Sequence, residues 1–224
     1  MTESHKTAGR YSLPFLIYFA YTLTKGLWLG GLEGAAFWAA DFVSFVVIPA
    51  ALVVAYRLPV RLSELRTRRA NRPEGFLVPV VVNGFLIAFV MRMIFIFGSL
   101  AFSRWGIDES VILPPSVVYE ARVPKEGVWL YVCIVYFALT AALVEEYFFR
   151  FLLRRALLPY TAATLPFVLV SSVTFALVHW GGGLLNLCAA FPAGALLAWA
   201  YVKASDLRLP VVGHAFYWLR LLFR

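Results

Sequence analysis

Long apolar runs separated by short polar segments dominate the chain, a pattern typical of membrane-spanning helices. A span takes about 20 mostly apolar residues, and on that criterion we place spans near residues 12–31, 34–56, 76–102, 128–158, 163–181, 184–203 and 209–223. No internal repeat of the kind that builds solenoids is visible. The pattern therefore predicts an all-α fold, a polytopic membrane helix bundle of about seven to eight transmembrane helices.

Arginine is concentrated in one long loop, which indicates how the spans are oriented. The 57–75 loop carries six arginines and two glutamates, a net charge of +4, whereas the 103–127 loop has a net charge of −1. Loops rich in lysine and arginine stay on the cytoplasmic side of a membrane. We therefore expect a cytoplasmic N-terminus.

The composition excludes several classes of protein. Of the 224 residues, 62% are hydrophobic and 14% are charged, whereas soluble domains are about 45–50% apolar and 25% charged. A water-soluble globule, a disordered chain and a nucleic-acid-binding protein are therefore excluded, despite a formal net charge of +8. We interpret that charge as loop residues that set the topology and contact anionic lipid, so the lipid bilayer is the first predicted partner.

Two adjacent glutamates and an arginine interrupt the fourth apolar run, where ionisable side chains are costly and mark candidate functional sites. Glu146 and Arg150 are four residues apart, which places them on one helix face in the acid-before-base order that favours an ion pair. Glu145 is turned away from that face by about 100°. We expect Glu146 to pair with Arg150 and Glu145 to be free for chemistry. The alternative is a salt bridge with a structural role only.

The fifth run carries His179, with Phe175 one turn before it on the same face, where its ring can hold the imidazole in one rotamer. Counted from the turn at 159–162, Glu146 lies 13 residues back and His179 lies 17 residues on. At 1.5 Å per residue, both rise about 20–25 Å along antiparallel helices. The matching depths predict that glutamate and histidine meet as a water-activating pair. For His179 alone, the alternative is an interhelical hydrogen bond.

A second histidine, His214, lies one turn into the last run. It climbs only about 9 Å from Arg208. Bringing it to Glu145 therefore requires a kink, a re-entrant sixth span near Pro192 and Gly194, or a shifted helix boundary.

Two further charges lie in the second and third runs. Asp41 and Arg92 are at comparable depth, so we expect them to pair with each other. The alternative for Arg92 is a contact with a carboxylate of the substrate.

These stretches together resemble the CPBP family of intramembrane proteases, the type II CAAX prenyl endopeptidase group that also includes the Abi immunity-type proteins. The sequence EEYFFR at 145–150 matches the family's EExxxR motif, FALVH at 175–179 matches its FxxxH motif, and LPVVGH at 209–214 is similar to the approach to its third motif. The likeness covers about residues 128–222. It divides one integrated membrane domain into N-terminal helices and loops at 1–127 and a catalytic helical core at 128–224.

The resemblance implies a metal-independent glutamate protease without a cofactor. The first glutamate of the motif and the first histidine activate water, and the second histidine stabilises the oxyanion. The catalytic residues implied are Glu145, Glu146, His179 and His214, supported by Arg150 and Phe175.

The chain departs from the family pattern at one position. In the family, an asparagine four residues after the second histidine usually assists the oxyanion, and here that position is Trp218. An indole offers a single N–H donor, whereas an amide can both donate and accept. The candidate substitutes are Tyr217, Asn186 and a backbone N–H.

The predicted function is that of an intramembrane endopeptidase that acts on membrane-anchored or lipid-modified polypeptides in the plasma membrane of a bacterium or archaeon. A non-proteolytic Abi-like protein that binds a peptide or protein partner, in an immunity or sorting role, is the alternative that Trp218 favours. A transporter could use Glu145 and His179 as a proton relay. Zinc could bind two histidines and a glutamate, although no HExxH spacing supports it. The oligomeric state is not indicated by the sequence.

Overall fold

The computed structural model describes residues 3–60, 77–108 and 112–219. The regular secondary-structure elements of these ranges are all helices, so the all-α prediction is confirmed. The long helices are α1 (Glu3–Trp28), α2 (Gly34–Ala55), α3 (Leu77–Trp105), α4 (Val128–Leu157), α5 (Thr164–Leu177), α6 (Leu184–Ala204) and α7 (Arg208–Trp218).

Four helices of the described ranges, α2, α3, α4 and α6, are long and apolar enough to cross a membrane. Large apolar side chains on these helices are exposed, among them Phe85, Phe89 and Leu139, as expected of surfaces that face lipid. The protein is therefore a membrane protein. A count of seven spans and a cytoplasmic N-terminus stay predictions.

Each predicted span overlaps one of these helices, and the bounds differ most at α1, α5 and α7. Helix α1 begins well before residue 12, because polar residues continue a helix as readily as apolar ones once it has formed. Helix α5 ends at Leu177, so His179 lies in the turn that follows it. Most of the arginine-rich 57–75 loop and the last residues of the seventh predicted span lie outside the described residues.

Aromatic packing joins α1 to the middle of α4. The ring of Tyr18 lies 4.0 Å from that of Phe148, and Phe15 meets Phe149 edge-on at 6.0 Å between centroids. The turns of α4 over Tyr147–Leu152 are wider than those of an α-helix, with π-type hydrogen bonding. Local widening of this kind is frequent at functional sites, and here it begins directly after Glu146.

Glycines set the position of α7 against α3. A Cβ on Gly84 would lie 2.6 Å from Val212, and a Cβ on Gly213 would lie 2.6 Å from Ile87, so the two backbones approach closely only because both side chains are absent. Helix α6 runs without a break through Pro192, so the re-entrant sixth span is not formed.

The start of α7 is fixed by the tight turn that precedes it. The carboxylate of Asp206 accepts the backbone N–H of Arg208 at 2.9 Å and forms an ion pair with the Arg208 guanidinium at 2.6 Å. Only residues 205–207 separate α6 from α7. This short connection and the glycine contact with α3 hold His214 at the depth of the two glutamates.

Candidate active site

The Glu146 side chain is sealed inside the bundle, where each carboxylate oxygen lies near a charged or polar group. Its Oε2 lies 3.2 Å from Nε of Arg150, and both side chains are completely buried. Its Oε1 lies 3.0 Å from Nδ1 of His214. The predicted i, i+4 ion pair is therefore present, and the same carboxylate also orients an imidazole from α7.

Arg150 is held on its other side by α5. Its Nη1 donates to the hydroxyl of Ser171 at 3.1 Å, and that hydroxyl donates to the carbonyl of Phe149 at 2.8 Å. The guanidinium also lies 4.6 Å from the centroid of the Phe175 ring. Two contacts from α5, with Ser171 and with Phe175, thus fix the arginine that pairs with Glu146.

Glu145 points away from Arg150 and lies between two imidazoles. Its Oε2 is 3.8 Å from Nε2 of His179 and 4.0 Å from Nε2 of His214. The side chain is 6% exposed, whereas Glu146 is 0% exposed, and its Oε2 accepts no hydrogen bond from the described residues. The meeting of glutamate and histidine that the helix depths predicted is therefore observed, with Glu145 as the partner that retains an unused acceptor.

Phe175 positions His179 in two ways. Its ring lies 4.3 Å from the imidazole, and its carbonyl oxygen lies 2.7 Å from Nδ1 of His179. The amide of Asn186 donates to the carbonyl of His179 at 3.1 Å, which supports the turn that carries the histidine. Asn186 therefore acts here through the backbone of His179.

The hydrogen bonds define the tautomer of each histidine. A carbonyl oxygen can only accept, so Nδ1 of His179 carries its proton, and the carboxylate of Glu146 requires the same of Nδ1 in His214. In the neutral form of each ring, Nε2 is then a hydrogen-bond acceptor. Both acceptors point toward Oε2 of Glu145.

These groups line a cavity of about 430 Å³ between α1, α3, α4, α6 and α7. That volume lies in the range of pockets that hold small ligands or peptide segments. The titratable or polar groups that reach it include Lys25, Arg92, Tyr119, Glu145, His179 and His214.

The residues 113–118 close the cavity beside His179. The backbone N–H groups of Ser116 and Val117 both donate to the carbonyl of Gly181 at 2.8 Å, and the Ser116 hydroxyl lies 3.0 Å from the carbonyl of Gly26. The segment therefore joins the end of α1 to the turn that follows His179.

Asp41 and Arg92 do not form the pair that the sequence suggested. Asp41 is buried and accepts hydrogen bonds from the hydroxyls of Tyr119 at 2.9 Å and Tyr136 at 2.8 Å. Arg92 is exposed on α3 at the cavity and forms no ion pair with the described residues. Two tyrosine hydroxyls satisfy the carboxylate without an arginine, a solution that depth along the helices could not reveal.

Lys25 is a cavity residue that the sequence analysis did not single out. Its Nζ lies 4.4 Å from the centroid of the Phe45 ring and 5.5 Å from that of Tyr119. The signal was available, because Lys25 is an ionisable residue inside the first predicted span, the criterion that identified the glutamates and histidines.

Trp218 forms part of the cavity wall. Its ring stacks on Phe137, with 5.0 Å between centroids, and meets Tyr119 edge-on at 6.5 Å. The position that usually holds an asparagine in the resembling family is thus occupied by an aromatic ring in a three-ring cluster.

The two histidines and Glu145 are side chains of the kind that bind metal ions. Within the described ranges, no group of three or more histidine, cysteine, aspartate or glutamate side chains is placed to hold one.

The fold and the site define an α-helical membrane protein with a glutamate–histidine cluster beside an internal cavity. Residues 127–219, which carry this cluster, match the model of the type II CAAX prenyl endopeptidase Rce1-like family. The match supports the CPBP/CAAX protease family. That family supports a CAAX-type intramembrane protease activity in general. No curated protein and no solved structure matches the chain.

Proposed function

We propose that the protein is a glutamate-type intramembrane endopeptidase that hydrolyses peptide bonds of membrane-anchored or lipid-modified polypeptides. The observation that supports it best is the position of Glu145 Oε2, 3.8 and 4.0 Å from two imidazole Nε2 atoms at the wall of the cavity. A carboxylate with an unused acceptor beside a second acceptor is suited to holding both hydrogens of one water molecule.

The reaction begins with a water molecule that donates one hydrogen bond to Glu145 and the other to Nε2 of His179. Glu145 takes a proton as the water oxygen bonds to the carbonyl carbon, and the electron pair of the C=O double bond moves onto the carbonyl oxygen. When the C–N bond breaks, the proton passes from Glu145 to the leaving amine. One water molecule is consumed, and one carboxyl group and one amine are formed.

Glu146 and Arg150 act as positioning residues in this proposal. The carboxylate of Glu146 fixes the tautomer of His214, and Arg150 supplies the counter-charge to Glu146 inside the bundle. Phe175 fixes the tautomer of His179 through its carbonyl oxygen.

The substrate class follows from the family and from the surroundings of the site. The matched family model names a prenyl endopeptidase, and helices with exposed apolar surfaces surround the cavity. A polypeptide held at the membrane by a lipid group or an apolar anchor suits such a site.

The proposal is tested by proteolysis with the purified protein in liposomes. The substrates are matched peptides with a prenyl group, with a transmembrane anchor and with neither, and the reaction is run in water labelled with ¹⁸O. We expect cleavage of an anchored peptide with one ¹⁸O atom in the new carboxylate, loss of cleavage in Glu145→Gln and His179→Ala, and full activity in Glu126→Gln, a glutamate of the exposed loop. Activity should persist after chelation of metal ions.

Full proteolysis by folded Glu145→Gln would show that the base is misassigned. A folded wild type that cleaves none of the peptides would instead favour the binding function that the sequence left open.

A further inference from the structure

Neither histidine of the described site offers an N–H group to an oxyanion in its neutral form. In their neutral forms, both His179 and His214 have their only N–H at Nδ1, where Phe175 and Glu146 engage it. Each Nε2 is therefore an acceptor toward the cavity. A developing oxyanion needs donors or positive charge that is in place before the reaction.

Two other polar side chains of the cavity wall are already engaged in hydrogen bonds. The hydroxyl of Thr140 donates to the carbonyl of Tyr136 at 2.6 Å, and the amide of Asn186 donates to the carbonyl of His179. Trp218, in place of an amide, stacks on Phe137. The remaining candidates are the cations of the cavity wall, Lys25 and Arg92.

Lys25 is the cation whose position is best defined. Its ammonium group is held between the rings of Phe45 and Tyr119, and the Tyr119 ring is in turn fixed by the hydrogen bond of its hydroxyl to Asp41. Arg92 also reaches the cavity but is exposed on α3. A charge that is fixed in advance stabilises a transition state better than a mobile one.

The ammonium group of Lys25 has no acceptor of its own within residues 3–60, 77–108 and 112–219. It forms no hydrogen bond with them and no ion pair within 4 Å, although the charges of Glu145 and Asp41 act on it. Lys25 is half-buried, and an ammonium group with three donors that is partly removed from water requires oxygen acceptors. The cavity that it shares with Glu145 is where a bound peptide would supply them.

We infer that Lys25 is a catalytic residue that stabilises the oxyanion from the wall of the cavity, in place of the amide that Trp218 replaces. The inference rests on the proposed proteolysis. During the attack, negative charge leaves the Glu145 carboxylate and appears on the carbonyl oxygen of the substrate. Lys25 forms no ion pair with Glu145 within 4 Å and lines the same cavity, in which we place the substrate. Its charge therefore favours the transition state over the ground state.

The test is a steady-state comparison of Lys25→Met with wild type on the best anchored peptide, in liposomes. Methionine keeps the length and apolar character of the lysine stem without its charge. We expect kcat to fall by about 10²–10³-fold, the effect of removing one oxyanion donor, with KM little changed. Lys203→Met is the matched control, because Lys203 also lies over an aromatic ring, that of Trp199, but is exposed and outside the cavity.

A kcat within about tenfold of wild type overturns the inference, and so does a rise in KM with kcat unchanged, which reports a ground-state contact. If Lys25→Met fails to fold because Asp41 loses its neighbouring charge, the double variant Asp41→Asn/Lys25→Met is compared with Asp41→Asn instead. A kcat of the double variant within about tenfold of that of Asp41→Asn then overturns the inference. Loss of the wild-type activity itself would contradict the proposed proteolysis. If the wild type is active and Lys25→Met has the same kcat, only the role of Lys25 is contradicted.

Discussion

Glu145 and Glu146 are neighbours in α4, yet they face two regions of the molecule with opposite construction. On the Glu146 side, the buried carboxylate contacts Arg150 and His214, and Arg150 in turn donates to Ser171. The Glu145 side borders a cavity, and Oε2 of Glu145 has no hydrogen bond from the described residues and no arginine beside it. The comparison indicates that a carboxylate surrounded by partners serves structure, whereas one with an unused oxygen in a cavity is available for chemistry.

The largest expected effect is at Glu145. In Glu145→Gln we expect kcat to fall by about 10²–10⁴-fold, the range for loss of a general base. The free energy of unfolding should change by less than about 1 kcal/mol, because glutamine has the same shape and Oε2 has no described partner to lose. Cleavage rates and thermal melting in detergent measure the two quantities. A variant that melts much earlier than wild type would place Glu145 in the structural region instead.

The opposite result is expected at Glu146. In Glu146→Gln the buried Arg150 loses its counter-charge, so we expect the protein to be destabilised by about 3–5 kcal/mol, the cost of removing one member of a buried ion pair. Denaturant unfolding in micelles measures this. The double variant Glu146→Gln/Arg150→Met should recover part of the stability, because no uncompensated charge remains. If Glu146→Gln were as stable as wild type, the contrast between the two glutamates would be wrong.

Ser171 tests whether the contacts around Glu146 and Arg150 serve stability and not catalysis. In Ser171→Ala, Arg150 loses an acceptor and the carbonyl of Phe149 loses a donor, so we expect a destabilisation of about 1.5–3 kcal/mol. The kcat of the folded fraction should be close to that of wild type, because Ser171 does not reach the cavity. A large fall in kcat without loss of stability would contradict this separation. Ser172→Ala is the matched control, since its hydroxyl bonds only within α5.

The helices and the glutamate–histidine meeting could be predicted because both follow from local pattern. Apolar runs set the helices, the i, i+4 spacing set the pair of Glu146 with Arg150, and the rise per residue set the depth of His179. The roles of the site residues remain predictions, as does the boundary near residue 127 between N-terminal helices and catalytic core.

The other side of the cavity could not be predicted in the same way. Lys25, Tyr119 and Asp41 come from α1, from the segment after α3 and from α2, and their contacts depend on how these elements pack. Spacing along a helix carries no information about such contacts. The mistaken pairing of Asp41 with Arg92 has this cause, since equal depth does not show which helix faces bring side chains together.

The smallest expected effect is at Thr140, and it tests what makes a cavity residue functional. Thr140 lines the cavity as Glu145 does, but its hydroxyl donates to the carbonyl of Tyr136 in its own helix. In Thr140→Val, which keeps the shape of the side chain, we expect a loss of about 0.5–1.5 kcal/mol of stability and a kcat within about threefold of wild type. Thr174→Val, which removes the same kind of bond outside the cavity, is the control.

The result at Thr140 separates two explanations of the site. If position at the cavity were enough, Thr140→Val would lower kcat well beyond its control, because water and substrate contact the altered side chain. If an unused polar atom is required, the variant and its control behave alike, and only Glu145, the histidines and Lys25 respond strongly. The hydrogen bond of Thr140 to its own helix leads us to expect the second outcome, which the ratio of the two kcat values measures directly.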